Sequence, residues 1–207
     1  MAPVRCKTTR TIYYPAPKNA STTLRTVYFE IENGFPFRNF SINGQNVTLF
    51  SLFRHVERFK KVPIPTDYEV LTVVRDPIQR FLSFYKWAVI DNNGEFTQTI
   101  EINDFVADFE TLLTHSGKVR WHLLPQWVFT GKDLSFYHHI FRAERMDVLQ
   151  SYLSERANRH IALPHVNSSS GPKENTLTPK SRAKLRDIYR EDYALLRDFY
   201  TPDLTSH

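Results

Sequence analysis

Two rhythms of apolar residues divide the chain. Short unbroken runs of β-branched and aromatic residues predict strands, and apolar positions recurring at 3.6-residue spacing predict helices. Thr11-Ile12-Tyr13-Tyr14, closed by Pro15 and Pro17, predicts a strand. Glu69-Val70-Leu71-Thr72-Val73-Val74 predicts the strongest one, because a nearly continuous apolar run suits a central parallel strand buried on both faces. Residues 136–142 predict a third. Residues 24–31 predict a helix opened by Ser21-Thr22-Thr23, where a hydroxyl can cap the first N–H groups, and closed by Asn33-Gly34. Residues 35–50 read as loop with a short strand over 47–50, and residues 51–61 as a short helix carrying His55.

Pro77 suits the first position of a helix running to about residue 89, with Ile78, Phe81, Leu82, Tyr85 and Val89 on one face. A polar loop over 91–99 precedes another amphipathic helix, introduced by Asn103-Asp104, with Phe105, Phe109, Leu112 and Leu113 inward. Residues 146–156 predict a helix, and Thr178 caps a last one to about residue 200, with Leu185, Ile188, Leu195 and Phe199 as its stripe. Strand–helix alternation of this kind predicts an α/β sandwich around a mainly parallel sheet. No repeat and no boundary interrupts it, so a single domain over residues 1–207 is expected.

Composition narrows the function classes. With 207 residues, 41% hydrophobic and 14% aromatic, the chain can bury a sizeable core, which excludes a collagen, a low-complexity tail and a coiled coil. No apolar run approaches the ~20 residues of a membrane span. Cys6 is the one cysteine, so a disulfide scaffold is excluded. With no apolar leader after Met1, a cytoplasmic, reducing location is expected. A trimmed lumenal enzyme is the alternative, since Asn19, Asn39, Asn46 and Asn167 each begin an Asn-x-Ser/Thr triplet. The net charge of +5 suits an anionic ligand, such as a nucleotide, an acidic glycan or a nucleic acid, and placement has to decide among them.

Two segments place that charge. The first is Pro17-Lys18-Asn19-Ala20-Ser21-Thr22-Thr23, between a strand and a helix. Such a turn aims backbone N–H groups and the positive helix end at one spot, and Lys18 and three hydroxyls add further donors. It is no Walker A loop, because residues 15–25 contain no glycine. A capped helix with a surface lysine has the same signature. The second segment is Arg75-Asp76-Pro77-Ile78-Gln79-Arg80-Phe81-Leu82-Ser83. A parallel strand delivers Arg75 to its C-terminal end, where open α/β sheets bind ligands, and Ser83 can add a hydroxyl from the next helix. Asp76 and Arg80 either orient Arg75 or pair with each other; a structural Arg–Asp pair has this signature too.

Residues 18–23 resemble the 5′-phosphosulfate loop of sulfotransferases, and residues 75–83 their 3′-phosphate motif, with the R-D-P-x-x-R-x-x-S spacing. Further segments are similar to the carbohydrate branch of that family (the HNK-1, chondroitin and heparan 2-O type). These are His122-Leu123-Leu124-Pro125-Gln126, Phe141-Arg142-Ala143-Glu144, Leu163-Pro164-His165-Val166-Asn167-Ser168-Ser169 and Asp192-Tyr193. They run in order over nearly the whole chain. The resemblance implies the P-loop-like three-layer sulfotransferase fold and 3′-phosphoadenosine 5′-phosphosulfate as cofactor. It also implies transfer of a sulfuryl group to a hydroxyl or amine of a small molecule or glycan. Pro17, Lys18, Asn19, Ala20, Ser21, Thr22 and Thr23 would hold the 5′ end, and Arg75 and Ser83 the 3′-phosphate. No metal is required, since a sulfuryl group carries less charge than a phosphoryl group.

The acceptor must lose a proton, so a base is needed. His122 ranks first, His55 second and Glu57 third, and each can equally be a surface or packing residue. Glu144 reads as a structural partner of a nearby arginine. Trp121 and Trp127 read as core before cleft. The basic residues Lys180, Arg182, Lys184 and Arg186 read as a solvated helix face rather than a nucleic-acid patch, with no aromatics interleaved. Residues 164–176, with Lys173, form the candidate lid. Acceptor specificity is expected in residues 35–65, 91–103 and 120–135; oligomeric state has no signature. Two other readings stay open: a nucleotide kinase on a related sheet, and a non-catalytic binder of anionic glycan or nucleic acid.

Overall fold

A computed structural model describes residues 2–52, 58–91, 94–164 and 172–201. In chain order the strands are β1 (Val4–Cys6), β2 (Thr11–Tyr14), β3 (Phe40–Ile42), β4 (Gln45–Val47), β5 (Glu69–Val74) and β6 (His139–Arg142). The helices are α1 (Ser21–Asn33), α2 (Pro77–Tyr85), α3 (Ile102–Ala107), α4 (Phe109–His115), α5 (Gly117–Leu123), α6 (Trp127–Thr130), α7 (Met146–Arg156), α8 (Pro179–Ile188) and α9 (Arg190–Leu195). Their contacts form two compact units, Met1–Val74 with Phe129–Ser168 and Arg75–Val128 with Ser169–His207.

The first unit holds a four-stranded sheet in the order β1-β2-β5-β6. β2, β5 and β6 run parallel and β1 is an antiparallel edge. Alternate residues of each strand face opposite ways, and both faces are covered, which is why β5 is apolar almost throughout. Tyr13, Leu71, Val73 and Phe141 join Leu24, Val27 and Tyr28 of α1 and Leu149 and Leu153 of α7 in one core. On the other face Ile12, Tyr14 and Val70 pack with Tyr68, Tyr137, Phe59 and Phe136. The mainly parallel α/β architecture is therefore as expected. Where the chain must not carry a side chain is equally clear: a Cβ on Gly131, at φ +78°, would stand 3.0 Å from the Phe59 ring.

The second unit is helical. Phe105 sits at its centre, with ring centroids 6.0 Å from Phe81, 6.2 Å from Phe84 and 5.2 Å from Tyr85. Ile78, Phe109, Leu112, Val119, Leu123, Leu185 and Tyr189 are among the other buried residues of this unit.

Several expectations need correction. β1 was not anticipated, because three residues with an exposed Arg5 between Val4 and Cys6 give too short an alternation. Residues 35–50 contain the hairpin β3–β4 rather than a strand over 47–50, with left-handed Asn43 and Gly44 at its turn. Of the helix expected over 51–61, residues 51–52 belong to a 3₁₀ turn over Leu49–Leu52, residues 58–61 are not helical, and residues 53–57 lie outside the described residues. α2 ends at Tyr85 and passes into a π-helical turn, Lys86–Ile90, where the Lys86 ammonium meets Asp91 at 2.7 Å. The helix expected after residue 103 is two short ones, α3 and α4, and the last helix breaks at Tyr189 into α8 and α9. β6 starts at His139, after a 3₁₀ turn over Leu134–Phe136.

Left-handed glycines set one test of this fold. Gly34→Ala, at φ +77° with open space around it, should lower the unfolding free energy by about 1 kcal/mol. Gly131→Ala should cost about 2 kcal/mol or more, since the Phe59 ring must also move. Urea denaturation of the two variants reads the difference, and equal losses would contradict the close approach.

Candidate active site

The lysine turn is shaped by backbone constraint. Lys18 and Ala20 both adopt left-handed conformations, at φ 66° and 56°, which non-glycine residues hold only when their surroundings enforce it. Asn19 between them is wholly buried. Its Nδ2 donates to the Val73 carbonyl at 2.9 Å, and its own carbonyl accepts from the Tyr13 hydroxyl at 3.4 Å. The turn is thereby tied to the end of β5. A buried Asn19 also closes the first of the four Asn-x-Ser/Thr triplets to a glycan.

Ala20 is the N-cap of α1, and no side chain caps that helix. The hydroxyl cap expected from Ser21-Thr22-Thr23 is not formed, because the chain enters α1 from left-handed Ala20. The first-turn N–H groups and the hydroxyls of Ser21, Thr22 and Thr23 are thus not consumed by capping. This donor set, with two residues between it and half-buried Lys18 in the chain, can receive an anion. Arg25, one turn further on, is buried, and burial lowers its pKa while the Tyr13 oxygen opposes that shift.

The second segment lies in the helical unit. Asp76 caps α2 by accepting from the Gln79 N–H at 2.9 Å and also accepts from the Tyr193 hydroxyl at 3.2 Å. Arg80 is buried in the core and donates to the His122 carbonyl at 3.0 Å. Ser83 is half-exposed on α2, on a stripe with Gln79 and Lys86. Arg75 is half-buried, and its backbone is clasped by Gln126. The Arg75 N–H donates to Oε1 at 3.3 Å, and Nε2 donates to the Arg75 carbonyl at 2.8 Å. Asp192, wholly buried, accepts from the N–H groups of Gln126 and Trp127 at 2.8 and 2.9 Å. Burial pushes its carboxyl up to about 6, against the pull of Arg80 and the two N–H groups.

His122 is packed among rings. It stacks on Phe84 at 5.4 Å and on Trp87 at 4.9 Å, with Trp121 edge-on at 5.0 Å. Its Nδ1 lies 2.9 Å from the Lys118 carbonyl, to which it donates. His55 and Glu57 lie outside the described residues, as do residues 165–171 of the candidate lid; Lys173 is exposed. Glu144 lies 3.9 Å from Arg142, the structural pairing expected of it. An open groove of about 640 Å³ is lined by Phe29, Phe35, Phe37, Arg38, Phe40 and Leu52, mostly in the 35–65 segment where acceptor specificity is expected. It lies toward the C-terminal end of α1, whereas Lys18 precedes the N-terminus of that 13-residue helix, about 20 Å long.

The sequence model described as the sulfotransferase family matches residues 4–200. The chain belongs to the sulfotransferase family. Comparison with the curated proteins and with the solved structures gave no match. Membership makes this sulfotransferase an enzyme of sulfuryl transfer, in place of the kinase and binder readings, and the carbohydrate branch is consistent with it. The four-stranded, mainly parallel sheet flanked by helices is consistent with the family fold. 3′-Phosphoadenosine 5′-phosphosulfate is the usual cofactor of the family. Among the described residues no helix is long and apolar enough to cross a membrane.

Asp192 gives the site a pH signature. Its carboxyl is raised from 3.8 to about 6, so the folded state holds the proton more tightly than the unfolded state. This group therefore favours folding least above pH 6, and its contribution to the unfolding free energy falls by about 3 kcal/mol as pH rises from about 4 to about 6. Urea denaturation between pH 4 and 7 should show that slope flattened in Asp192→Asn; parallel profiles would contradict it.

Proposed function

We propose that this sulfotransferase moves the sulfuryl group of 3′-phosphoadenosine 5′-phosphosulfate to a hydroxyl or amine of an acceptor, a carbohydrate before other small molecules, with residues 1–207 acting as one catalytic domain. The observation that carries this reading is the uncapped N-terminus of α1 beside left-handed Lys18. Lys18, the first-turn N–H groups and the hydroxyls of Ser21, Thr22 and Thr23 would hold the 5′ end, with Pro17, Asn19 and Ala20 shaping the turn. Arg75 and Ser83 would hold the 3′-phosphate, remote from the reacting centre, and so act by positioning.

Bound there, the cofactor supplies an activated sulfuryl group whose S–O bond to the 5′-phosphate breaks as the acceptor oxygen or nitrogen forms the new bond. The Lys18 ammonium and the helix N–H groups neutralise the charge that grows on the bridging oxygen. Nε2 of His122 takes the acceptor proton, and the faces of Phe84 and Trp87 stabilise the imidazolium so formed. His55 is the second choice for this step and Glu57 the third. The groove beside Arg38 suits a distal part of an extended acceptor.

Adenosine 3′,5′-bisphosphate at about 100 times its Kd should stabilise the protein by about 2.7 kcal/mol, a rise in Tm of several degrees. Lys18→Ala should remove sulfate transfer by at least 100-fold while leaving a folded protein, and Arg75→Ala should chiefly weaken nucleotide binding. Labelled-sulfate transfer and thermal melts check both. A Tm that ignores the bisphosphate would overturn the reading.

A further inference from the structure

A single side chain fixes the direction in which Arg75 leaves the backbone. Gln126 is wholly buried, and its carboxamide bonds Arg75 with both arms, accepting from the Arg75 N–H at 3.3 Å and donating to the Arg75 carbonyl at 2.8 Å. This is the double bond pattern by which two facing residues of an antiparallel ladder hold each other. Both polar groups of Arg75 are engaged, so its φ and ψ are fixed and the Cα–Cβ vector with them. A carboxamide is needed, since one arm must accept and the other donate. Glutamate in its place would set a carboxylate oxygen against the Arg75 carbonyl.

Gln126 is itself held from behind. The Asp192 carboxylate receives the Gln126 and Trp127 N–H groups at 2.8 and 2.9 Å, and its neighbour Tyr193 donates to Asp76 at 3.2 Å. Arg80 beside Asp192 balances its charge and is anchored on the His122 carbonyl at 3.0 Å. Three segments far apart in sequence, at 75–76, 126–127 and 192–193, are therefore linked in series, with Gln126 as the link to the Arg75 backbone.

We propose that Gln126, backed by Asp192, is the positioning residue that gives Arg75 its selectivity for a 3′-phosphate. Gln126 touches no part of the nucleotide; it acts through the arginine. The inference rests on the assignment of Arg75 to the 3′-phosphate.

The experiment compares two nucleotides by isothermal titration calorimetry: adenosine 3′,5′-bisphosphate and adenosine 5′-monophosphate. The ratio of their Kd values isolates what the 3′-phosphate adds. In the unaltered protein the bisphosphate should bind the more tightly. Gln126→Glu and Gln126→Ala should each cut the ratio about 10-fold or more, toward the value in Arg75→Ala, with 5′-monophosphate affinity changed less than 3-fold. Leu185→Ala, a buried apolar truncation in the same unit, should lower Tm and leave the ratio as it was. A folded Gln126→Ala protein with an undiminished ratio would overturn the positioning role while the Arg75 assignment stands. An unaltered protein with no preference for the bisphosphate would overturn both. If the two Gln126 variants fail to fold, Asp192→Asn, which keeps the shape and one acceptor, supplies the same comparison, and an unchanged ratio there counts equally against the proposal.

Discussion

Burying the Asp192 carboxylate constrains the helical unit more than any other single feature. A carboxylate out of water must be surrounded by donors or by opposite charge. Here the Gln126 and Trp127 N–H groups and the buried Arg80 meet that demand in part, and burial still holds the carboxyl up at about 6. The requirement fixes where the chain turns into α6 and where α2 and α9 present their inward faces. It also leaves the Gln126 side chain with one direction to take, onto the backbone at Arg75. A charge that contributes little net stability thus specifies a geometry.

The same device recurs in the sheet unit. Asn19, also wholly buried, donates its carboxamide to the Val73 carbonyl. Residues 73 and 75, on either side of the end of β5, are each held by a carboxamide from a distant segment. Strand ends fray because their outer N–H and C=O groups lack ladder partners. Supplying those partners from side chains keeps the end of a strand rigid where the sheet itself stops. Strain at Lys18 and Ala20 is sustained in the same way, by an anchor placed between them.

Much of this was legible in the sequence because it follows from periodicity. β2, β5 and α7 appear where the apolar pattern puts them, and Pro77 and Thr178 open α2 and α8 as their chemistry predicts. The misses share a cause. β1, β3, β4, α3, α4 and α9 are segments of three to seven residues, too short for a period to declare itself. The hydroxyl cluster at 21–23 marks where α1 begins, but the cap expected from it is not formed. Gln126 and Asp192 stood out only through resemblance. Nothing local marks a polar residue as buried, since its burial is decided by partners 51 and 66 positions away.

Asn19 faces inward with its carboxamide committed to Val73. An oligosaccharide attached to that nitrogen would replace one of its two hydrogens and could not be housed in a site with no accessible surface. Sugar addition and a correctly formed lysine turn are therefore mutually exclusive states of the polypeptide. Were the chain threaded through a compartment that decorates nascent asparagines, closure of this turn would have to outrun the transferase, and any molecule overtaken there would emerge with the turn unformed.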